Sequence, residues 1–350
     1  MIQEAIKLAA QHQDLTADMA EAVMNEIMSD QASQIQMAAY LTAMSVKGET
    51  IAEITGSAAG LRSHCVRLLH QLDVLEIVGT GGDHSNSFNI STTSAIVVSS
   101  LGIPVAKHGN RAATSRSGAA DVLEALGVDI TVPPEVSVDL LHTLNLCFLF
   151  AQNYHIAMKY VAPVRGALGI RTIFNILGPL VNPAGASMEL LGVYDETQVE
   201  PLAQVLSNLG VKRALVVHGQ DGLDEISLCA PTSVCELRDG WFKTYEITPE
   251  LFGFQRCAPA DLVGGTPEEN AVITRAVLDG EPGPKRDAVL LNSAAAIHLA
   301  RDISIEEAIP QAAWAIDSGA ARHQLDRFAE LSRQPVAPSG PPKSDAGGAA

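Results

Sequence analysis

Through residue 72 the apolar positions recur at three- and four-residue spacing, and almost nothing alternates as a strand would. MAAYLTAM (37–44) supplies an apolar helical face. Thr16 stands ahead of AEAVMNEIM as a cap. Ser33 with Gln36, and Thr50 with Glu53, have the capping-box spacing, in which side chains satisfy backbone amides that the first helical turn leaves free. A small all-helical domain over residues 1–72 is the expectation.

From Asp73 short apolar runs alternate with helical ones. VLEIV (74–78) runs into a glycine-rich turn, and a helix through TTSAIVVSSLG follows. IPVAK (103–107) reads as the next strand, and SGAADVLEALG as a helix stopped by Gly127. LCFLF (146–150), MELLGVY (188–194) and RALVVHG (213–219) are apolar runs of the sort buried on both faces of a parallel sheet. Thr197 and Glu200 have capping-box spacing at the start of EPLAQVLSNLG. The alternation predicts the α/β class: a large α/β domain over 73–333 with a mostly parallel central sheet, the small domain being completed by helices from about 155–185. Ligands of such sheets lie beyond the carboxyl ends of the strands, where the loops at 79–92, 107–117 and 218–225 converge. Residues 228–256 read as short antiparallel strands around the turn RDGW. Thr266, Pro267 and Glu269 open a further helix, and helices continue to about Arg333. The tail 334–350, QPVAPSGPPKSDAGGAA, has too little apolar surface to offset its ordering entropy and is expected to be disordered.

Composition narrows the class of ligand. The chain has 350 residues, 47% hydrophobic and 18% charged, with a formal net charge of -17. No apolar run approaches the ~18–20 residues of a membrane span. The opening MIQEAIKLAAQHQD lacks the basic-then-apolar order of a secretory signal, so a cytoplasmic location and no membrane partner are expected. The negative charge repels a phosphate backbone, which argues against nucleic acid and for a small ligand. Five cysteines with no C-x-x-C pair read as free thiols rather than disulfides or a zinc site.

Four stretches carry candidate chemistry. In GTGGDHSNSFNIST (79–92) a strand, a glycine turn and a helix start gather backbone N–H groups at the positive end of a helix dipole, a setting for phosphate. The hydroxyls of Ser87, Ser91 and Thr92 and the amide of Asn89 add donors, although Asn89 or Ser91 could equally be a plain N-cap. In KHGNRAATSRSG (107–118) Lys107, Arg111, Thr114 and Ser115 surround a turn of small residues that admits a second phosphate; His108 alone would more often be structural. In HGQDGLDE (218–225) the adjacent acids Asp224 and Glu225 follow a strand, as ligands to a hard cation would, or as a solvated loop would, and Asp221 is open to the same two readings. In YVAPVRGALGIRTIFNILGPLVNPA (160–184) Arg165 and Arg171 stand in apolar surroundings and need an anion, either a structural carboxylate or a substrate's. The GPL-x-NP turn there looks like a break between helices. Two phosphate cradles beside two carboxylate patches suit a polyphosphate bound with Mg²⁺, the acids holding the metal.

GTGGD, NIST, KHGNR, RTIFNILGPLVNPA and HGQDGLDE occur in the order and spacing of the anthranilate phosphoribosyltransferase family, which the chain resembles from about residue 5 to 333. The resemblance implies transfer of ribose 5-phosphate from 5-phosphoribosyl 1-diphosphate (PRPP) to the amine of anthranilate, with release of diphosphate, in tryptophan biosynthesis. It implies PRPP contacts from Gly79, Gly82, Asp83, Ser87, the run Asn89, Ile90, Ser91 and Thr92, and the run Lys107, His108, Gly109, Asn110, Arg111, Ala112, Ala113, Thr114 and Ser115. It further implies anthranilate contacts from Gly79, Asn110 and Arg165, two Mg²⁺ per chain held by Ser91, Asp224 and Glu225, and a homodimer. The chain departs from the family at Gly118-Ala119-Ala120-Asp121, where many relatives read GSAD, so only the backbone of Ala119 remains for PRPP. A pyrimidine nucleoside phosphorylase on the same fold, using inorganic phosphate, is the rival enzyme; the paired acids and the KHGNR continuation favour the diphosphate donor. A non-catalytic nucleic-acid-binding relative would need a basic groove that this charge opposes.

Overall fold

The computed structural model describes residues 1–112 and 115–334. Ala113, Thr114 and the tail 335–350 lie outside the described residues. Gln334, where the tail begins, still donates its amide to the carbonyl of Leu331.

The first 63 residues form α1 (Ile2–Ala9), α2 (Ala17–Met28), α3 (Gln34–Lys47) and α4 (Ile51–Ser63). Thr16 accepts from the amide of Met19, and the boxes Ser33–Gln36 and Thr50–Glu53 close in both directions. Glu53 does more than cap. Fully buried, it also accepts from the Leu15 amide at 2.7 Å and the Lys47 ammonium at 2.9 Å, tying the α1–α2 connection to α3 and α4.

The chain then alternates β1 (Leu75–Gly79), α5 (Ile90–Ser99), β2 (Val105–Gly109), α6 (Ala119–Leu126), α7 (Pro134–Leu144) and β3 (Leu146–Phe150). Short helices follow, α8 (Ala151–Tyr154), α9 (Ala162–Leu168) and α10 (Phe174–Leu180), before β4 (Met188–Gly192), α11 (Val199–Asn208) and β5 (Arg213–Gly219). A hairpin of β6 (Thr232–Arg238) and β7 (Trp241–Ile247) leads to α12 (Pro267–Leu278), α13 (Pro284–Arg301), α14 (Ile305–Asp317) and α15 (Ala320–Ser332). The seven strands lie in the order β3-β2-β1-β4-β5-β6-β7; the first five are parallel, and β6 and β7 run antiparallel. Strand order reverses at β1, which pairs with β2 on one side and β4 on the other, so the crevice of this sheet opens above β1 and β4.

Two buried cores cover the two faces. α5–α7 and α12–α15 pack on one. On the other, residues of α9, α10 and α11, among them Val164, Phe174, Leu177 and Leu202, share a cluster with Tyr40, Leu41 and Met44 of α3 and Ile54 of α4. No single helix among the described residues is long and apolar enough to cross a membrane. All five cysteines are free thiols; Cys229 and Cys257 meet at 3.3 Å between sulfurs, and burial holds both protonated, Cys229 up to about 12.

Two local expectations are corrected, and one alternative reading is set aside. Thr197 and Glu200 form no capping box: Asp195 accepts from both the amide and the hydroxyl of Thr197, at 3.0 and 2.7 Å, and α11 starts at Val199 without a side-chain cap. The shorter side chain two residues upstream reaches the amide first. GPL-x-NP breaks no helix pair. Pro179 lies inside α10, and the turn after it feeds β4, anchored by Asn182, whose amide donates to Glu76 and to the Ala106 carbonyl. Asn89 precedes α5 but makes no cap bond with its side chain, which is engaged elsewhere.

Candidate active site

The glycines that end β1 and β4 leave room for an acid. A Cβ on Gly79 would collide with the Asp224 carboxylate, and one on Gly192 with the Asp224 backbone. Asp224 therefore settles over the crevice and accepts from the Gly81 amide at 2.6 Å. Its neighbour Glu225 accepts from the Ser91 amide at 3.1 Å, at the start of α5, where a helix dipole favours negative charge. Lys107, 3% exposed in the middle of β2 rather than at its end, donates to the Ile77 carbonyl at 2.5 Å and to the Ser91 hydroxyl at 3.2 Å. Beneath it the fully buried Glu76 accepts from the His108 amide at 2.8 Å.

The electrostatics are those of acids crowded out of water. Burial, then Asp83 and Glu225, raises the Asp224 carboxyl well above the usual carboxylate range. Burial lifts Glu225 to about 7 against the pull of Lys107 and the Ser91 amide. Burial draws Lys107 down, opposed by Glu76, Glu225 and Asp224. Asp83 Oδ2 is buried without a hydrogen-bond partner among the described residues. Among the described residues these groups do not converge into a ready-made metal cage. Hard oxygens of Asp83, Ser91, Asp224 and Glu225 facing one cavity nevertheless fit Mg²⁺, which takes one or two carboxylates and completes its shell with water and substrate phosphate.

The cavity, about 350 Å³, is lined by the glycine loop, the 107–112 stretch, Ser115, Ser117–Ala119, Asn175, Asp224 and Glu225. It gathers the described residues of the two expected phosphate loops, with both acids; Arg116 alone of them stays out and lies 3.7 Å from Glu269. From the 218–225 loop only Asp224 and Glu225 reach it; Asp221 instead accepts from the Ser227 hydroxyl. The second loop is tied into a ring by Asp121 of α6, whose Oδ2 accepts from the amides of Ala112 at 2.8 Å and Gly118 at 2.9 Å. Arg111 lines the cavity but lies between Asp121 and Glu124, over the ring of Phe150. Asn89 joins the loops, donating to the Ser117 carbonyl at 3.1 Å and accepting from the Ser117 hydroxyl at 3.3 Å.

The two arginines part company. Arg165 does not line the cavity: half-buried, with its basicity lowered by burial, it lies 5.2 Å from the Phe174 ring and has no carboxylate partner among the described residues. Arg171 needs no anion here, because a carbonyl and a ring face serve it: it donates to the Gly82 carbonyl at 2.6 Å and stacks on Tyr194. His108 and His155 pack ring to ring at 5.0 Å, and burial lowers them to about 3 and about 4, so both are neutral near pH 7. Asn175, Ser117 and Glu76 were not singled out from the sequence. Asn175 sits in the FNILG run, where its apolar neighbours conceal it; Glu76, an acid inside the apolar run VLEIV, was the visible signal.

Profile comparison matches residues 71–322 to "Glycosyl transferase family, a/b domain" and residues 3–65 to "Glycosyl transferase family, helical bundle domain". The chain is 63% identical over 333 residues to the anthranilate phosphoribosyltransferase of Methanobrevibacter smithii, covering 95% of this chain and 99% of that protein. The crystal structure of the Thermus thermophilus anthranilate phosphoribosyltransferase superimposes with a TM-score of 0.89 at 43% identity, over 94% of this chain and 99% of that one. The Saccharomyces cerevisiae enzyme in complex with PRPP and Mg superimposes with a TM-score of 0.87 at 30% identity, over 95% and 97% of the two chains. With both parts of its length matched and its cavity at the switch point of the sheet, this chain belongs to the anthranilate phosphoribosyltransferase family.

Proposed function

We propose that this chain transfers the 5-phosphoribosyl group of PRPP to the amine of anthranilate, giving N-(5-phosphoribosyl)anthranilate and diphosphate in tryptophan biosynthesis. The observation that carries the reading is one cavity in which two donor-rich loops face a pair of adjacent buried acids. The S. cerevisiae relative, solved with PRPP and Mg and separately with 4-fluoroanthranilate, supports it.

In this reading the glycine loop from Gly79 to Thr92 and the loop from Lys107 to Ser115 bind the phosphates of PRPP through backbone amides, hydroxyls and the Lys107 ammonium, and Ala119 contributes only its backbone. Ser91, Asp224 and Glu225 hold two Mg²⁺ per chain. Bound magnesium neutralises the charge that builds on the departing diphosphate. Gly79, Asn110 and Arg165 hold anthranilate, Arg165 meeting its carboxylate from a half-buried place where the guanidinium has no carboxylate partner among the described residues. The amine nitrogen bonds to ribose C1 as the bond from C1 to diphosphate breaks, and it then gives up a proton. Orientation supplies most of the gain, and no side chain is assigned as nucleophile or base. The neutral imidazoles of His108 and His155 offer no acid near pH 7.

The division falls at residue 72/73, with the helices of about 155–185 completing the small domain; the two profile matches and the cluster shared by α3, α4, α9 and α10 support it. An open apolar groove of about 550 Å³ between α1 and α3, lined by Ile6, Ala38, Ala43 and Val46, supports a homodimer, to be read by sedimentation. Five free thiols suit a cytoplasmic setting. The reaction is tested by mass spectrometry of the products. The phosphoribosyl adduct of anthranilate is expected from PRPP, whereas phosphorolysis of uridine or thymidine by inorganic phosphate without that adduct would replace the assignment.

A further inference from the structure

One asparagine outside the cavity lining is joined to it by an unbroken line of hydrogen bonds. Asn270, on the first turn of α12 and 1% exposed, accepts at Oδ1 from the Gly265 amide at 2.7 Å and donates from Nδ2 to Asn89 Oδ1 at 2.8 Å. Asn89 in turn donates from Nδ2 to the Ser117 carbonyl and accepts at Oδ1 from the Ser117 hydroxyl. A backbone N–H only donates and a carbonyl only accepts, so the far partner at each end fixes which way each amide is turned. Asn89 Oδ1 is thereby occupied twice, and one N–H of its amide has no partner among the described residues.

Two further observations place α12 for this contact. Thr93, one turn beyond Asn89, gives its hydroxyl proton to the Asn89 carbonyl at 2.9 Å; the 3.1 Å contact between Thr274 and Thr93 therefore has Thr274 as donor. Asn270 and Thr274, four apart on α12, thus meet Asn89 and Thr93, four apart at the start of α5. The strap before α12 lies flat on the glycine loop: Phe88 donates to the Leu262 carbonyl at 3.0 Å and Gly264 to the Asn86 carbonyl at 2.9 Å. A Cβ on Gly264 would stand 2.5 Å from Asn270 Oδ1 and 2.8 Å from Phe88 Cα, so only glycine allows this approach.

We propose that Asn270 is a positioning residue for the phosphoribosyl donor: by occupying Asn89 Oδ1 it turns an N–H of Asn89 toward the anion and sets the gap between the two phosphate loops. The proposal rests on the reading that Asn89 contacts PRPP, and the variants separate the two. In Asn270→Asp the acceptor for Gly265 remains and the donor to Asn89 is gone. Steady-state kinetics should show KM for PRPP raised about tenfold, the worth of one hydrogen bond to an oriented group, with KM for anthranilate unchanged. Asn270→Ser, which buries no charge where Asp would, should do the same, with its thermal midpoint recorded alongside. In a double-variant cycle Asn89→Ala/Asn270→Asp should bind PRPP no worse than Asn89→Ala alone, because both remove one interaction. Unchanged KM for PRPP in the Asn270 variants while Asn89→Ala raises it, or effects that multiply in the double variant, would overturn the proposal. An Asn89→Ala protein with normal KM for PRPP would overturn the reading of the site as well.

Discussion

Asp224 occupies space that two glycines leave open, and its position is the most constrained in the site. A methyl group at Gly192 would push against the Asp224 backbone, and one at Gly79 against its carboxylate. Gly192→Ala should therefore lower kcat/KM by about 100-fold, the scale expected when a site group moves by an ångström, while the circular dichroism of the fold persists. Arg165 makes a separate prediction. Arg165→Ala removes a half-buried guanidinium without a carboxylate partner among the described residues, so KM for anthranilate should rise at least about tenfold with KM for PRPP unchanged. Equal rises in both constants would show a general disturbance of the cavity instead. The GTGGD and KHGNR stretches, which line one cavity, were legible in the sequence because the proposed phosphate cradle is local chemistry: glycines, hydroxyls and a helix start within a dozen residues. Asn270 was not, because its role exists only after α12 docks on α5, and a capping box explained its neighbours completely.

At the level of elements, the caps at Thr16, Ser33, Thr50 and Thr266 placed the starts of α2, α3, α4 and α12, since each is settled within one turn. The exception before α11 arose where two capping side chains compete and the nearer, Asp195, takes both groups of Thr197. Glu53 shows a cap acquiring tertiary duty. Its carboxylate serves the Thr50 and Leu15 amides and the Lys47 ammonium from a fully buried place, so Glu53→Ala leaves two amides unmet and the ammonium with only Asp14 and the Gly48 carbonyl. Chemical denaturation should find about 3 kcal/mol lost, as for a broken buried ion pair; a loss no larger than about 1 kcal/mol would mean that water replaces it. The mostly parallel sheet was legible because strands buried on both faces show unbroken apolar runs. Its strand order was not, since nothing in the runs themselves records which neighbour each strand takes.

For the whole molecule, charge sets both stability and function. In β6, two strands from β4, Glu236 is held down to about 2, by His298 first and by Arg238 and Tyr245 after it. A depressed carboxyl stabilises the fold above its unfolded pKa, and that contribution fades as pH falls from about 4.5 toward 2. Glu236→Gln should therefore lower the thermal midpoint at pH 7, and the gap from wild type should shrink steadily below about pH 4.5. A gap independent of pH would assign the loss to packing. At the crevice the same overall negative charge is turned to use, if the buried acids serve a cation that a phosphorylated substrate brings. The most direct test is the loss of anthranilate fluorescence on adding PRPP, with Mg²⁺ or with EDTA, in wild type and in Asp224→Ala/Glu225→Ala. Fluorescence that falls only in wild type with Mg²⁺ is the predicted result; an equal fall in the double variant, or in EDTA, would contradict the account.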